Sequence, residues 1–274
     1  MLFRSPRSRL NDKQLTYQPL FSPALSPRAV LLFDIDGVIR DVGGSYRKAI
    51  VETVHHYCGQ RPSPESIDAL KAEGCWNNDW EASLELLRRQ GTPDLPAFEA
   101  LVEVFNGFYF GGDPDGDPAA WRGFIRNEPL LVGPTFFAAL SAADVTWGFV
   151  SGAEPPSARF VLETRLGLRQ PPLIAMGDAP DKPDPSGFLQ LADSLAAATV
   201  PVAYLGDTVA DVTTVVRARQ QRPAQRFISL AVAPPHLQSS PRRGAYEEQL
   251  RAAGADAVIA RTSDVLEALE QAIA

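Results

Sequence analysis

Phe33-Asp34-Ile35-Asp36-Gly37-Val38 closes the first apolar run of the chain, AVLLF (29–33). How this stretch is read decides the fold. A short, nearly continuous run of β-branched and large apolar residues suits a strand buried on both faces, as in a parallel sheet. Ligands of open parallel sheets gather outside the carboxyl ends of the strands. Asp34 and Asp36 would therefore stand where chemistry takes place, and residues two apart on an extended chain face the same side. Gly37 permits a sharp turn and close backbone approach to a ligand. Taken singly, the stretch is equally well an Asp-Gly turn leaving a strand.

Working outward, five further runs of the same kind follow: VTWGFV (145–150), PLIAM (172–176), PVAYL (201–205), RFISLAV (226–232) and ADAVIA (255–260). Helical patterns separate them at 134–143, 156–166, 186–197, 209–220 and 245–253. Alternating strand and helix implies an α/β fold with a parallel sheet wrapped by helices. Beyond residue 150 the strand ends fall roughly 25 to 30 residues apart, about one βαβ unit each. The interval between the first two strands is much longer and reads as helical at 45–57, 64–72, 78–90 and 95–109, with Ile50, Val54 and Tyr57 at helical spacing. The expected organisation is a core of 29–40 and 131–274 with a helical domain inserted at 41–130.

Three more strand ends carry polar groups. Val150-Ser151-Gly152-Ala153 offers a hydroxyl and backbone amides that can hold phosphoryl oxygens. Lys182 lies in Asp181-Lys182-Pro183-Asp184-Pro185, a loop stiffened by prolines. Gly206-Asp207-Thr208-Val209-Ala210-Asp211 places two carboxylates four apart at a helix start, hard oxygen donors of the kind magnesium takes. Each has an ordinary alternative: a Ser-Gly turn, a solvated lysine, an N-cap with a first-turn acid. Four such ends in succession, together supplying one phosphoryl-transfer site, make the ordinary alternatives implausible as a set.

In these residues the chain resembles the haloacid dehalogenase superfamily of hydrolases. DIDGV matches its DxDG motif, Ser151 the second, Lys182 the third, and GDTVAD the fourth in its GDxxxD form, in order and over about residues 29 to 262. The resemblance implies a Rossmann-like core, and the insertion occupies the superfamily's C1 cap position. GGSYRKAI, TVHHY and NNDW are similar to a branch of its phosphatase-rich subfamily I.

The resemblance further implies that Asp34 is a nucleophile forming an aspartyl phosphate, and that Asp36 protonates the leaving alkoxide and then activates water. It implies Mg2+ held by Asp34, the backbone carbonyl of Asp36, and Asp207, with Lys182, Ser151 and Gly152 on the phosphoryl group. Asp211 is expected to orient Lys182 or a water on the metal rather than bind the metal itself. In the insertion, Asn77, Asn78 and Trp80, with Arg47, are candidates for substrate contact; helix capping by Asn77 or Asn78 and packing of Trp80 are the structural alternatives.

The expected activity is hydrolysis of a small phosphorylated metabolite. A phosphomutase can use the same motifs, and a catalytically silent binding protein of the same fold is the alternative from another class. A dehalogenase lacks the second aspartate, so Asp36 counts against it. Asp113-Pro114-Asp115-Gly116-Asp117 is not a calcium loop, since Pro118 and Phe124 stand where that loop needs Gly and Glu.

The net charge of −7 argues against nucleic acid or an anionic membrane as the main partner. No stretch reaches the roughly 18 to 20 apolar residues of a membrane helix. Cys58 and Cys75 form neither ligand spacing nor a disulfide framework, which suits a reducing cytoplasm. Residues 1–28, with Arg4, Arg7, Arg9, Lys13 and Arg28 against Asp12 alone, read as a basic flexible tail.

Overall fold

The computed structural model describes residues 26–73, 76 and 78–274. Most of the basic segment, together with Cys75 and Asn77, lies outside the described residues. β1 (Ala29–Phe33) is buried along its whole length. It pairs in parallel with β2 (Val145–Val150) on one side and β4 (Val202–Gly206) on the other. β3 (Leu173–Ile174), β5 (Phe227–Val232) and β6 (Ala257–Ile259) complete a six-stranded sheet in the order β3-β2-β1-β4-β5-β6. The strand order reverses beside β1, the topological switch point where open α/β sheets bind ligands.

Alternation along the strands builds two cores. Leu31, Phe33, Ala203 and Leu205 face one cluster, which includes Phe137 and Leu140 of α5 (Pro134–Ala142) and Val265 and Leu269 of α10 (Val265–Ile273). Val30, Leu32, Val202 and Tyr204 face the other, with Phe188 of α7 (Ser186–Leu195) and Val215 of α8 (Val209–Gln221). Covering both faces is what makes continuous apolar runs stable as strands, at about 1.5 to 3 kcal/mol for each large side chain fully buried. α6 (Pro155–Arg159) and α9 (Arg243–Ala253) complete the helices around the sheet.

α1 (Tyr46–Cys58), α2 (Pro64–Ala72), α3 (Asp79–Arg89) and α4 (Phe98–Tyr109) lie between β1 and β2 in the chain. α1 packs on α3 and α4, burying Ile50, Val54, Leu87, Leu101 and Phe105. The two passages joining these helices to the sheet run side by side: Asp41 N–H donates to Pro129 O at 2.8 Å and Leu131 N–H to Ile39 O at 2.9 Å.

Two elements depart from their sequence pattern. The run 172–176 is a strand only over Leu173–Ile174, because Ala175 N–H turns away to Asp178 Oδ2 at 2.9 Å. The helix expected over 156–166 changes at its midpoint from α to π over Phe160–Arg165, ending at Gly167 with φ +69°.

Candidate active site

Register brings the strand ends level. Phe33 lies opposite Phe149 on one side and Leu205 on the other, so Asp34, Ser151 and Asp207 follow within a residue or two of one line. The chain then turns tightly after β1: the N–H groups of Ile39 and Arg40 both reach Ile35 O, at 2.8 and 3.1 Å. Gly37 takes φ +77°, and a Cβ there would lie 1.9 Å from Asp207 Oδ2. No other residue lets the two loops meet so closely.

After β4, Thr208 caps α8 in a reciprocal box: its hydroxyl accepts from Asp211 N–H, and the Asp211 carboxylate accepts from Thr208 N–H at 2.9 Å. The Thr208 hydroxyl also reaches Asp211 Oδ2 at 2.6 Å, and Lys182 Nζ donates to Oδ1 at 2.5 Å, with the Tyr204 hydroxyl 3.1 Å away. Lys182 Nζ is 3.0 Å from Asp34 Oδ1 as well, so this largely buried lysine bridges two carboxylates.

Carboxylate oxygens of Asp34, Asp207 and Asp211 all lie within 4.8 Å of one another. Asp211 is occupied by its donors on both oxygens. Asp34 is buried, and the Lys182 ammonium is the one cation at its carboxylate among the described residues. Burial raises the Asp34 carboxyl to about 6, against the pull of Lys182 and with the repulsion of Asp211 and Asp36. Burial and the charges of Asp211 and Asp34 push Asp207 up too. Burial also opposes the Lys182 charge, but Asp211 and Asp34 outweigh it and hold the lysine well above its ordinary value. Three carboxylates around one ammonium thus leave unmet negative charge at Asp34 and Asp207, which is the donor set and charge a hard divalent cation would satisfy.

Ser151 is buried at the end of β2, its hydroxyl accepting from Ala153 N–H at 3.2 Å. Gly152 is exposed, and a Cβ there would meet nothing within 4 Å, so no steric demand explains this glycine. The Asp36 carboxylate is held by Arg40, whose Nε lies 2.6 Å from Asp36 Oδ1. Asp36 is therefore beside the cluster without its carboxylate joining it.

Sequence reasoning passed over several residues that shape the site. Arg40 follows Val38-Ile39 four residues after Asp36, and a charged residue inside an apolar turn was the available signal. Tyr204 lies in a run whose apolar neighbours mask its hydroxyl, which donates to Val150 O at 2.7 Å. The Tyr246 hydroxyl donates to Asp207 O at 2.9 Å from α9. Glu154, three residues beyond Ser151, is raised to about 7 by burial and by Asp115.

In the insertion the side chains have local partners. Asn78 caps α3, its Oδ1 accepting from the N–H groups of Trp80 at 2.9 Å and Glu81 at 3.2 Å. Trp80 packs edge-on against Phe105, ring centroids 6.4 Å apart. Arg47 pairs with Asp68, which Arg242 also reaches at 2.8 Å. Asp113-Pro114-Asp115-Gly116 is a turn, with Gly116 N–H donating to Asp113 O at 3.0 Å. Among the described residues, no helix is long and apolar enough to cross a membrane.

Comparison with known proteins agrees with this architecture. The chain is 30% identical over 191 residues to a protein of Phytophthora nicotianae named imidazoleglycerol-phosphate dehydratase; the match takes in 68% of this chain and 41% of that protein, so the chain spans well under half of that relative. A phosphatase from Thermococcus thioreducens superposes with a TM-score of 0.58 at 20% identity, covering 81% of this chain and 99% of its own. A phosphonoacetaldehyde hydrolase-like protein from Oleispira antarctica gives 0.63 at 16% identity, with 90% and 92% covered. At such identities these two structures speak for the fold alone. The model of a hydrolase family, the haloacid dehalogenase-like hydrolases, matches residues 29–219, from the start of β1 into α8 and across all four polar strand ends. The chain belongs to the haloacid dehalogenase-like hydrolases.

Proposed function

We propose that this chain is a magnesium-dependent phosphatase that hydrolyses a small phosphorylated metabolite through an aspartyl phosphate on Asp34. The observation that carries the reading is Asp34 itself. It is a buried carboxylate at the end of the central strand, 3.0 Å from an ammonium that Asp211 holds in place. Asp34 and Asp207 would hold the metal together with the Asp36 carbonyl; bound there, it would offset the repulsion between an anionic nucleophile and an anionic ester.

In the first half-reaction an Asp34 oxygen attacks phosphorus as the bond to the leaving oxygen breaks, and Asp36 gives that oxygen a proton. In the second, Asp36 takes a proton from water, which attacks the same phosphorus, releasing phosphate and restoring the Asp34 carboxylate. Lys182, held protonated, and the Ser151 hydroxyl with the Gly152 amide bind the phosphoryl oxygens throughout. α1 to α4 would act as a cap that selects the rest of the substrate and excludes water. Residues 41–130 are the proposed cap, and 29–40 with 131–274 the proposed core.

The relative's name supports a narrower substrate. Its substrate, by name, is a phosphate ester bearing an imidazole ring, and this chain matches only part of it. We therefore place an imidazole-bearing alkyl phosphate first among the metabolites to test. On this reading its kcat/KM exceeds that of a plain alkyl phosphate of equal length by at least about tenfold, or about 1.4 kcal/mol.

The mechanism is tested by quenching turnover in acid and reducing with borohydride, which turns an aspartyl phosphate into homoserine. Homoserine at position 34, found by mass spectrometry and absent without substrate, is expected; an unmodified Asp34 during active turnover overturns the nucleophile. A phosphomutase would show the same modification but release little free phosphate.

A further inference from the structure

Arg40 is fully buried, and each of its three nitrogens has a partner of its own. Nε donates to Asp36 Oδ1 at 2.6 Å, Nη1 to Glu128 Oε2 at 2.9 Å, and Nη2 to Ser157 Oγ at 2.8 Å. The three partners come from three parts of the chain: the turn after β1, the returning passage, and α6. Glu128 is itself gripped from the insertion, by the Ser45 hydroxyl before α1 and by the Tyr109 hydroxyl of α4 at 3.3 Å. Arg165 donates to the Glu128 carbonyl. Tyr46 and Tyr109 stack with centroids 4.2 Å apart, and the Tyr109 hydroxyl lies 2.8 Å from Ser157 Oγ.

A buried guanidinium with every arm committed is an expensive feature that must be matched by excellent geometry. As a stabilising device it is a poor choice, since apolar residues of similar volume would serve as well or better. What this arrangement does that apolar packing cannot is hold Asp36. Its side chain is about one quarter exposed, and a free aspartate so placed would sample several rotamers; Arg40 fixes Oδ1 and leaves the second oxygen available. Arg40 and Glu128 also stand on the two passages that pair side by side between the inserted helices and the sheet, with Arg40 bridged to Leu130.

We propose that Arg40, clamped by Glu128, is a positioning residue for Asp36: it sets the orientation of the proton-transferring carboxylate and ties that orientation to the passages carrying the inserted helices. The inference rests on the phosphatase reading above, with Asp36 moving protons to and from the leaving oxygen. Arg suits the task because its planar fork addresses three acceptors at fixed angles, which a lysine cannot do.

The test compares wild type with Arg40→Lys and with the double variant Arg40→Met/Glu128→Gln, which removes both buried charges together so that neither is stranded. Each is assayed with excess magnesium on an alkyl phosphate and on p-nitrophenyl phosphate, whose leaving group needs little protonation. Misplacing Asp36 should lower kcat/KM on the alkyl ester by 30-fold or more and lower it on the aryl ester at least tenfold less, because kcat/KM reads the leaving-group step alone while kcat also carries the aspartyl-phosphate hydrolysis that both esters share. Asp36→Asn should show the same bias, and Arg40→Lys should fall between wild type and the double variant. Equal losses of kcat/KM on the two esters in either folded variant overturn the positioning role and leave Arg40 a packing residue. Wild-type inactivity on both esters is a different outcome: it removes the phosphatase reading itself, and the inference falls with it.

Discussion

Lys182 and Asp211 meet ammonium to carboxylate at 2.5 Å beyond the end of the central strand, the carboxylate buried and the lysine largely so. Asp211 thereby does two jobs. It closes the N-terminus of α8 through Thr208, and it holds the charge that faces Asp34. Fold and chemistry share one side chain here.

Asp211→Asn should therefore harm both. The carboxamide keeps the shape but strands a buried ammonium with one anionic partner fewer, and breaking such a pair costs about 3 to 5 kcal/mol. Urea unfolding should register a loss of about 3 kcal/mol, and hydrolysis should fall at least about 100-fold as Lys182 loses its anchor. An unfolding free energy within about 0.5 kcal/mol of wild type would show that Asp211 does not hold Lys182.

The acidic cluster makes a prediction about pH and metal. The Asp34 carboxyl is raised to about 6 by burial, and Asp207 is raised as well, whereas in the unfolded chain both ionise near about 4. A raised carboxyl pKa means that the folded state holds its proton more tightly than the unfolded state does. The stability it contributes is full below about 4 and is lost as pH rises through about 6. The metal-free protein should thus lose stability from Asp34 as pH rises from about 4 through about 6, and Asp207, also raised, adds a loss of the same sign above about 4. Magnesium should then raise Tm more at pH 8 than at pH 5, and binding at pH 5 should release protons, seen by calorimetry in buffers of different ionisation enthalpy. A magnesium-induced Tm rise that is the same at both pH values would sink the assignment of Asp34 and Asp207 as its ligands.

Glu154 offers a second pH signature away from the cluster. Burial and Asp115 hold its carboxyl at about 7, so its ionisation between about 4.5 and 7 opposes folding. Glu154→Gln should raise Tm at pH 8 and change it little at pH 4.5, where the native carboxyl is already protonated. A Tm gain at pH 4.5 as large as that at pH 8 would assign the effect to packing rather than to charge.

Much of this architecture could be read from residue pattern because the relevant signals are local. β1 is buried on both faces, and its continuous AVLLF says so. Asp34, Ser151 and Asp207 each follow a strand end directly, and Lys182 lies in the proline-rich loop between β3 and α7, where a short stretch of sequence announces the turn. What stayed hidden depends on partners far along the chain. Arg40 and Glu128 are 88 residues apart, and neither is unusual until the two passages are seen to pair. The truncation of β3 depends on Asp178 capturing Ala175 N–H, a competition no apolar pattern encodes. The change to π geometry at Phe160–Arg165 leaves the helical spacing of apolar residues nearly intact, so periodicity passes over it.

The inserted helices supply the last prediction, because Asn78 and Trp80 can be separated by what each one touches. Asn78 Oδ1 accepts from two N–H groups that would otherwise be orphaned at the start of α3. Asn78→Ala should therefore cost about 1 kcal/mol of stability, whereas Asn78→Asp, which retains the cap and adds favourable charge at the helix N-terminus, should not. Trp80 presents its edge to Phe105 and is only partly buried, so Trp80→Ala removes packing without emptying the centre of the helical cluster. If either side chain also grips the substrate, kcat/KM for the metabolite should fall by more than that for p-nitrophenyl phosphate, since only the larger substrate uses remote contacts to stabilise its transition state. Measuring Tm and both specificity constants on the same three variants decides the matter. A capping role alone predicts that Asn78→Asp is wild type in every measurement, and that Asn78→Ala lowers Tm while leaving the ratio of the two specificity constants where it was. A shifted ratio in Asn78→Asp, with Tm unchanged, would place the carboxamide in contact with the substrate instead.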